Sequence, residues 1–578
     1  MKNTTTEKFL TQAEIIRDYG LNKKLIDKYL PRPKVISYRS RRGYVYSRRW
    51  READVIKALS NPELASEIEK SQASRLETKY RAEIISLFGE YTPDKVIERA
   101  SSLKRCFVLH VGPTNSGKTH DAIEALIAQK NGCYLGPLRL LALEMYERIN
   151  NAGVPCSLLT GEESIPTEGA EVVSSTVELC DFNTRFKVAV IDEAQLITDE
   201  DRGSSWLRAI CMVNAEEVHI CLAPEALDYI EGLVKSFGDP YTVVKHRRLV
   251  PLEYKGRCTG FEDIQPHDAI ICFSRKNVLS TAALLERYGF KASVIYGALP
   301  PQARRNEVEK YTSGVTDVVV ATDAIGMGIS LPIRRVIFAE TYKFNGKERV
   351  ELTPSEIRQI AGRAGRYGMF DLGEVLTMDD SDIIEKGLQY GAKRIKVPCI
   401  SFPREVLSTT DYPIELLLKV WDRLPPNGAF KREDVKDAIH LLSYIKESSK
   451  GASRERVYDL ISCPVDTRSQ ELCLYWARCA RAILRGRRIP LPDFETETLE
   501  GCELQYKAYD IHHQLLTRIG QNDDCTAERN AICERIRELM AENKSEYIRS
   551  CKKCGCELPL GYAFNICENC FTAHRYAQ

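Results

Sequence analysis

The residues that could do chemistry in this chain stand in three short groups far apart in sequence. The first is Gly112-Pro113-Thr114-Asn115-Ser116-Gly117-Lys118-Thr119, which follows the apolar run Phe107–Val111 and precedes a helical stretch, Asp121–Lys130. Strand, glycine loop and helix in that order make a phosphate cradle. Glycines let backbone N–H groups approach phosphate oxygens, and the helix N-terminus adds positive potential. Lys118 is expected on the β- and γ-phosphates of a nucleoside triphosphate, and the Thr119 hydroxyl on Mg²⁺.

The second group ends another apolar strand: Val188-Ala-Val-Ile-Asp192-Glu193-Ala-Gln195. Two carboxylates at a strand end are common and mean little alone. Downstream of a phosphate loop they suit a metal-holding acid, Asp192, and a residue that orients or deprotonates the attacking water, Glu193. The third group is Gln359-Ile-Ala-Gly362-Arg363-Ala-Gly365-Arg366. Its two arginines, three apart, share one face of a helix or turn, and guanidinium groups stabilise charge developing on a transferring phosphate. Gln359, Arg363 and Arg366 are therefore catalytic candidates beside Asp192 and Glu193. Such a finger works best from a second domain, so that hydrolysis requires closure.

The elements that must position these groups are legible in the pattern of the chain. With 578 residues, 43% hydrophobic and 28% charged, the sequence is ordinary for several globular domains. From Cys106 to about Asp380, short apolar runs alternate with amphipathic stretches, the signature of parallel α/β domains. Expected strands include Cys106–Val111, Val188–Ile191, Val218–Leu222, Ala269–Phe273 and Asp317–Ala321. The expected division is a helix-turn-helix-like module over 1–60, a helical connector over 61–100, α/β domains over 101–250 and 251–392, a helical region over 393–545, and a cysteine-rich tail over 546–578. The module ends in a basic, aromatic stretch, Arg39 to Trp50, that reads either as a hairpin wing or as a solvated face.

Net charge is +1, so any nucleic-acid surface must be local. No apolar run is long enough to span a membrane. Fifteen of the 20 cysteines are scattered singly, often within apolar runs, as reduced thiols are. The early Glu7, Glu14 and Asp18 argue against a transit peptide, so a cytoplasmic location is expected.

The three groups recur in the order of superfamily II helicases, and further segments bring a closer match. The chain resembles the Suv-type mitochondrial RNA helicase of the RNA degradosome, as a bacterial or phage relative of it. The resemblance rests on Gly112–Thr119, Gly136-Pro-Leu-Arg-Leu-Leu-Ala142, Thr160-Gly-Glu-Glu163, Thr176-Val-Glu-Leu179, Asp192–Gln195, Cys272-Phe-Ser-Arg275, Val294–Pro301, Ala321–Gly328 and Gln359–Arg366. It is strong over roughly 100–390. It is weaker over 395–520, where Leu474-Tyr-Trp-Ala-Arg478 and Pro492-Asp-Phe494 look like the family's helical signature.

The resemblance implies two tandem RecA-like parallel-sheet domains that sandwich ATP or another NTP, with nucleic acid across their top. It places Gly136, Pro137, Arg139, Thr160, Gly161, Thr176 and Thr322 against the strand's backbone, and Asp323, Gly326 and Gly328 between γ-phosphate and strand. Small hydroxyls, glycine N–H groups and one Arg suit sequence-independent phosphate contacts. RNA unwinding or translocation with 3′→5′ polarity is implied, as is an exoribonuclease or other protein partner. Two departures stand out. The family's Gly-acid-Pro motif is here Leu222-Ala223-Pro224-Glu225, and no adenine-reading Gln motif precedes the phosphate loop. A DNA helicase of phage or plasmid metabolism, acting on DNA or an RNA–DNA hybrid, and an NTP-gated remodelling protein that never separates strands stay open.

The tail carries Cys551-Lys-Lys-Cys554 and Cys567-Glu-Asn-Cys570, with 12 residues between the pairs. Two such knuckles across a hairpin over Leu558–Phe564 suit structural Zn²⁺ held by Cys551, Cys554, Cys567 and Cys570, with Cys556 and His574 as spare donors.

Overall fold

The computed structural model describes the chain except residues 1–7, 20, 41–42, 90–99, 101–102, 162, 327–330, 345–347, 380–381, 392–393, 396, 425–429, 522–524, 543–547, 549, 559–565 and 576–578. Gly328, Arg41, Arg42 and most of the expected Leu558–Phe564 hairpin thus lie outside the described residues, as does the side chain of His574. Two compact units emerge: residues 1–91 with 403–425, and residues 92–402 with 426–578.

In the first unit, helices Gln12–Tyr19 and Lys23–Tyr29 precede a hairpin of Lys34–Ser40 and Gly43–Arg51, whose second strand also pairs with Phe9–Thr11. Leu10, Ile15, Leu21, Leu25, Ile26 and Trp50 form its core, and the Trp50 indole donates to the Pro31 carbonyl at 2.9 Å. Thr11 and Glu14 cap the first helix reciprocally, as a Thr-x-x-Glu spacing allows. A long helix, Pro62–Gly89, follows. Helix Ile414–Asp422 packs along it, with Trp421 edge-on to Phe88 at 5.2 Å and Arg423 paired to Glu77 at 2.8 Å. The segment 403–425, expected in the helical C-terminal region, folds with this unit because its apolar face meets that helix.

The second unit holds two parallel sheets. The first has strand order Tyr241–Lys245, Cys106–Val111, Ala215–Leu222, Phe186–Ile191, Gly132–Gly136, Val172–Thr176, Cys156–Leu159, with the short antiparallel Ser164–Ile165 at its edge. The second runs Leu252–Arg257, Gly373–Thr377, Arg335–Phe338, Asp268–Ile271, Val318–Ala321, Ala292–Ile295, parallel throughout. Inner strands such as Asp268–Ile271 and Val318–Ala321 are buried at every position, as strands covered on both faces by helices must be. The first sheet turns its strand C-terminal ends, where ligands bind in such folds, into the loops that carry Gly112–Thr119 and Asp192–Glu193, whereas the third group spans the end of helix Pro354–Ala361 and the approach to strand Gly373–Thr377, where the Gly365 amide donates to the Ile333 carbonyl at 2.9 Å.

The helical region runs through Lys436–Ile445, Arg454–Ile461, Gln470–Leu484, Leu499–Arg518 and Thr526–Glu542. Its family-like signature is a packing knot. The Tyr475 hydroxyl donates to the Pro490 carbonyl at 3.0 Å, and its ring meets Phe494 edge-on.

Candidate functional site

Phosphate-loop geometry follows from two backbone positions. Gly117 has φ 83°, in the left-handed region that glycine tolerates best. At Gly112 an added Cβ would lie 2.6 Å from Ser116 Oγ and 2.8 Å from His246 Cβ, so only a glycine lets the strand turn there. Lys118 starts the helix Lys118–Gln129 and is buried. A cavity of about 280 Å³ opens beside it, walled by Thr114–Thr119, Asp192, Glu193, Glu144, Arg363 and Arg366 among others. Gly112 and Pro113 are not on this wall.

The acids come from the end of strand Phe186–Ile191. Asp192 accepts from the Thr119 hydroxyl at 3.1 Å, from the Tyr134 hydroxyl at 3.1 Å and from the Glu193 amide at 2.9 Å. The Trp206 indole pins its carbonyl at 2.9 Å. Burial, and then the neighbouring Glu193 charge, push the Asp192 carboxyl up to about 6. A buried carboxylate beside a hydroxyl and a second acid, with Lys118 as the nearby cation, has the donor set and the charge deficit for a divalent ion. Mg²⁺ held by Thr119 and Asp192 fits these residues. Glu193 adopts φ 52°, a strained value for a residue with a side chain. Its carboxylate accepts from the Gln195 amide, and the same Gln195 side chain accepts from the Ala223 amide at 3.1 Å. The altered Leu222–Glu225 segment is thus wired to the water-activating candidate through Gln195. Glu225 in turn accepts from Ser355 of the second domain at 3.4 Å.

Because folded Asp192 keeps its proton above the usual carboxylate range, this group's contribution to stability falls as pH rises from about 4 to about 6. A bound cation reverses that loss. Mg²⁺ is therefore expected to raise the Tm more at pH 7 than at pH 5, and the Mg²⁺ level for half-maximal hydrolysis to climb below pH 6. Equal Mg²⁺ effects at both pH values would count against Asp192 as a ligand.

The second domain brings its arginines to the same cavity. Arg363 is half-buried, and desolvation lowers its guanidinium while the charges of Glu193, Glu144 and Asp192 oppose that shift. Its Nε donates to the Gly326 carbonyl at 3.2 Å. Asn115 donates to the Gly362 carbonyl at 2.9 Å, and Arg248, from the linker between domains, donates to the carbonyls of Thr114 at 3.1 Å, Gly362 at 2.9 Å, and Ala364. A Cβ at Gly362 would lie 2.7 Å from Thr114 Cβ. The same Cβ would lie 2.7 Å from the Arg358 carbonyl, so Gly362→Ala is expected to prop the domains apart, lower hydrolysis at least tenfold and cost some Tm through the strained helix end. Wild-type rates in the alanine variant would show that this approach is not needed.

Not every expected residue reaches this cavity. Gln359 lies on helix Pro354–Ala361 over Gly326, and Asp323 and Gly326 form the turn behind Arg363. None of the three is on the cavity wall among the described residues.

The expected strand-binding residues divide in the same way. Pro137, Arg139, Gly161 and Thr176 line a second, open cavity of about 700 Å³. Gly297–Pro301 and Arg304 of the second domain form another wall, and Tyr506, Lys507 and Arg518 of helix Leu499–Arg518 a third. Thr160 lines an adjoining pocket with Arg139 and Arg529, its hydroxyl capping a turn at Glu163. Gly136 and Thr322 are not on these walls. The Tyr134 ring fills the space beside Gly136, and the Thr322 hydroxyl accepts from the Ala324 amide within a turn. Arg139 is not free: Asp510 lies 3.8 Å from it and 3.5 Å from Arg529, and burial pushes the Asp510 carboxyl up to about 6. Sequence reasoning missed Glu144, Arg248, Tyr134 and Asp510, because each is brought in by packing between distant segments.

In the tail, the thiols of Cys551, Cys554, Cys556 and Cys567 all lie within 4.8 Å of one another. Cys556 thus stands in the group where Cys570 was expected, while Cys570 lies close by, near enough for the other thiols to push its own upward. Gly555, at φ 73°, turns the chain so that the Lys553 and Cys567 amides donate to Cys551 Sγ at 3.5 and 3.2 Å. The Cys567 amide leads in drawing that thiol down to about 6. Thiolate-favouring amides and converging sulfurs fit Zn²⁺.

Two parallel-sheet domains in tandem, with a phosphate loop on one and an arginine pair of the other facing it across a cavity, define a helicase core. Residues 93–246 match the model of the DEXQ-box helicase domain of Suv3, and residues 256–368 that of the helicase conserved C-terminal domain. The DExH-box ATP-dependent RNA helicase DExH16, mitochondrial, of Arabidopsis thaliana is 33% identical over 473 residues, 77% of this chain and 82% of that protein. The chain belongs to the Suv3-type helicase family.

ATP-dependent RNA helicase SUPV3L1, mitochondrial, of Homo sapiens is 42% identical over 297 residues, 49% of this chain, and its counterpart SUV3 of Candida albicans 41% over 281, 48% of this chain. These matches span 38% and 39% of the two relatives' own length. All three relatives are eukaryotic proteins with mitochondrial in their names, and they lend no support to the bacterial or phage origin expected from sequence. Among the described residues, no helix is long and apolar enough to cross a membrane.

Proposed function

We propose that this chain is an NTP-driven motor, with ATP as its fuel, that translocates 3′→5′ on RNA and separates strands as it moves. The observation that carries this reading is the shared cavity, with Lys118 and Glu193 on one side and Arg363 and Arg366 on the other. Hydrolysis then depends on the approach of two domains. The three-walled cavity bordered by Arg139, Arg304 and Arg518 supplies the cations for a strand's backbone.

In this reading Lys118 grips the β- and γ-phosphates, and Thr119 and Asp192 would hold a Mg²⁺ that would offset their charge. Glu193 takes a proton from the attacking water, its carboxylate steadied by Gln195. Arg363 and Arg366 stabilise the charge that builds on the transferring phosphoryl group. Gln195 passes any shift of the Glu193 carboxylate to Ala223, and Glu225, two residues further on, touches the second domain. This path offers the altered Leu222–Glu225 segment a way to couple hydrolysis to domain movement.

The relatives' names favour RNA as substrate. Twenty free cysteines, mostly buried, suit a reducing compartment, and we keep a cytoplasmic setting as the reading to test by fractionation. An exoribonuclease partner rests on the family resemblance alone. Zn²⁺ in the tail is expected at one ion per chain by elemental analysis, and chelation is expected to lower the Tm; a metal-free chain of unchanged Tm overturns it.

The test is NTP hydrolysis and strand displacement with single-stranded and 3′- or 5′-tailed RNA and DNA of equal length. RNA-stimulated hydrolysis with displacement from 3′ tails supports the proposal. Equal or greater stimulation by DNA favours the DNA-helicase reading. RNA-stimulated hydrolysis without displacement favours remodelling.

A further inference from the structure

The hairpin of the first unit has a composition that the motor does not use. Residues 31–51 hold eight Lys and Arg and no Asp or Glu, in a chain whose net charge is +1. Its register sets Tyr44 opposite Arg39, Tyr46 opposite Ser37 and Arg48 opposite Val35. Alternation along a strand then gathers Tyr44, Tyr46, Arg48 and Arg39 on one face. Tyr44 is 68% and Tyr46 71% exposed, although tyrosine rings are costly to leave in water. None of these four side chains bonds or pairs with another described residue, whereas Lys28, on the helix before the hairpin, is tied to Glu67 at 2.6 Å. The outer end of this sheet face, beyond the buried Trp50 and Leu10 at its base, is therefore open to a ligand.

We propose that this face is a second nucleic-acid site, one that takes a single strand. Tyr44 and Tyr46 lie two residues apart on one strand, roughly 7 Å, a spacing suited to splayed rather than stacked neighbouring bases. Aromatic rings on an open sheet face are the platform on which unpaired bases stack. Arg39 and Arg48 flank the pair and neutralise the phosphates on either side. A duplex would offer no unstacked bases to the two rings, and the face carries no carboxylate to read a base edge. The site would hold a strand by stacking and charge, with no sequence preference.

Binding requires no hydrolysis, so its test is separate from that of the motor. The full chain, without nucleotide, is titrated onto a fluorescent 20-nucleotide oligouridine, and photo-crosslinks from 4-thiouridine are mapped. Crosslinks are expected at Tyr44 and Tyr46. Tyr44→Ala with Tyr46→Ala is expected to weaken binding roughly tenfold or more, while Tyr44→Phe with Tyr46→Phe, which keeps the rings, restores it. Arg39→Gln with Arg48→Gln is expected to shrink the slope of log affinity against log salt by about 1.4, the value for two phosphates of a single strand. Unchanged affinity in the alanine variant, with no crosslink in 34–51, overturns the proposal. So does a loss confined to duplex binding, or a hairpin that takes up anionic vesicles but not the oligonucleotide.

Discussion

Replacing Arg363 by alanine is expected to slow hydrolysis by about 10³–10⁵-fold, the range for removal of an arginine finger, with little change in nucleotide affinity. Arg363 reaches the cavity from the second domain, is half-buried there, and faces the charges of Glu193, Glu144 and Asp192. Its Nε is spent on the Gly326 carbonyl, which fixes the plane of the guanidinium. Lysine substitutes poorly, because a compact ammonium lacks the planar fork with which Arg363 holds the Gly326 carbonyl through Nε and Nη2 and keeps its other N–H groups for the phosphate. Arg363→Lys should therefore stay within about tenfold of the alanine variant. Steady-state hydrolysis and binding of a fluorescent nucleotide measure both quantities. An alanine variant that hydrolyses within tenfold of the parent would mean that the guanidinium is not at the transition state.

Glu193→Gln is expected to lower kcat by about 10²–10⁴-fold, the usual contribution of a positioned general base, and to leave KM almost unchanged. The substitution is close to isosteric, and its side-chain oxygen can still accept from Gln195, so the geometry should survive while the base is lost. The strained backbone at Glu193 has a purpose in this reading: it points the carboxylate into the cavity while Asp192, one residue earlier, turns to Thr119. Single-turnover hydrolysis separates the chemical step from product release. A glutamine variant with a normal burst of product would remove Glu193 from the mechanism.

The loop Gly112–Thr119, the pair Asp192 and Glu193 and the arginines Arg363 and Arg366 are legible in the sequence because each is a local pattern with a local cause: a glycine turn, a strand end, a turn that closes a helix. The parallel sheets are legible for the same reason, since strands covered on both sides must be apolar throughout. Arg248 is not, because its importance lies in three carbonyls drawn from segments far apart in the chain. Asp510 looks like any helix acid until folding sets it against Arg139 and Arg529. Cys556 shows the limit of spacing rules. Two knuckles predict four ligands, yet a glycine turn at 555 carries a fifth sulfur inward, and only geometry reveals the crowding. Gly136 and Thr322 sit in family motifs, and only folding shows the Tyr134 ring beside the one and a turn hydrogen bond on the other.

The return of residues 403–425 to the N-terminal unit bears on how this protein can be dissected. The apolar side chains Leu416, Leu417, Leu418, Val420 and Trp421 of one short helix are buried within that unit. Deleting residues 1–91 to isolate the motor would strip the cover from this helix and leave a sticky leucine–tryptophan ridge in the middle of the remaining polypeptide. Such a truncation should aggregate for reasons unrelated to catalysis. Soluble fragments will need the 403–425 excursion excised and bridged as well.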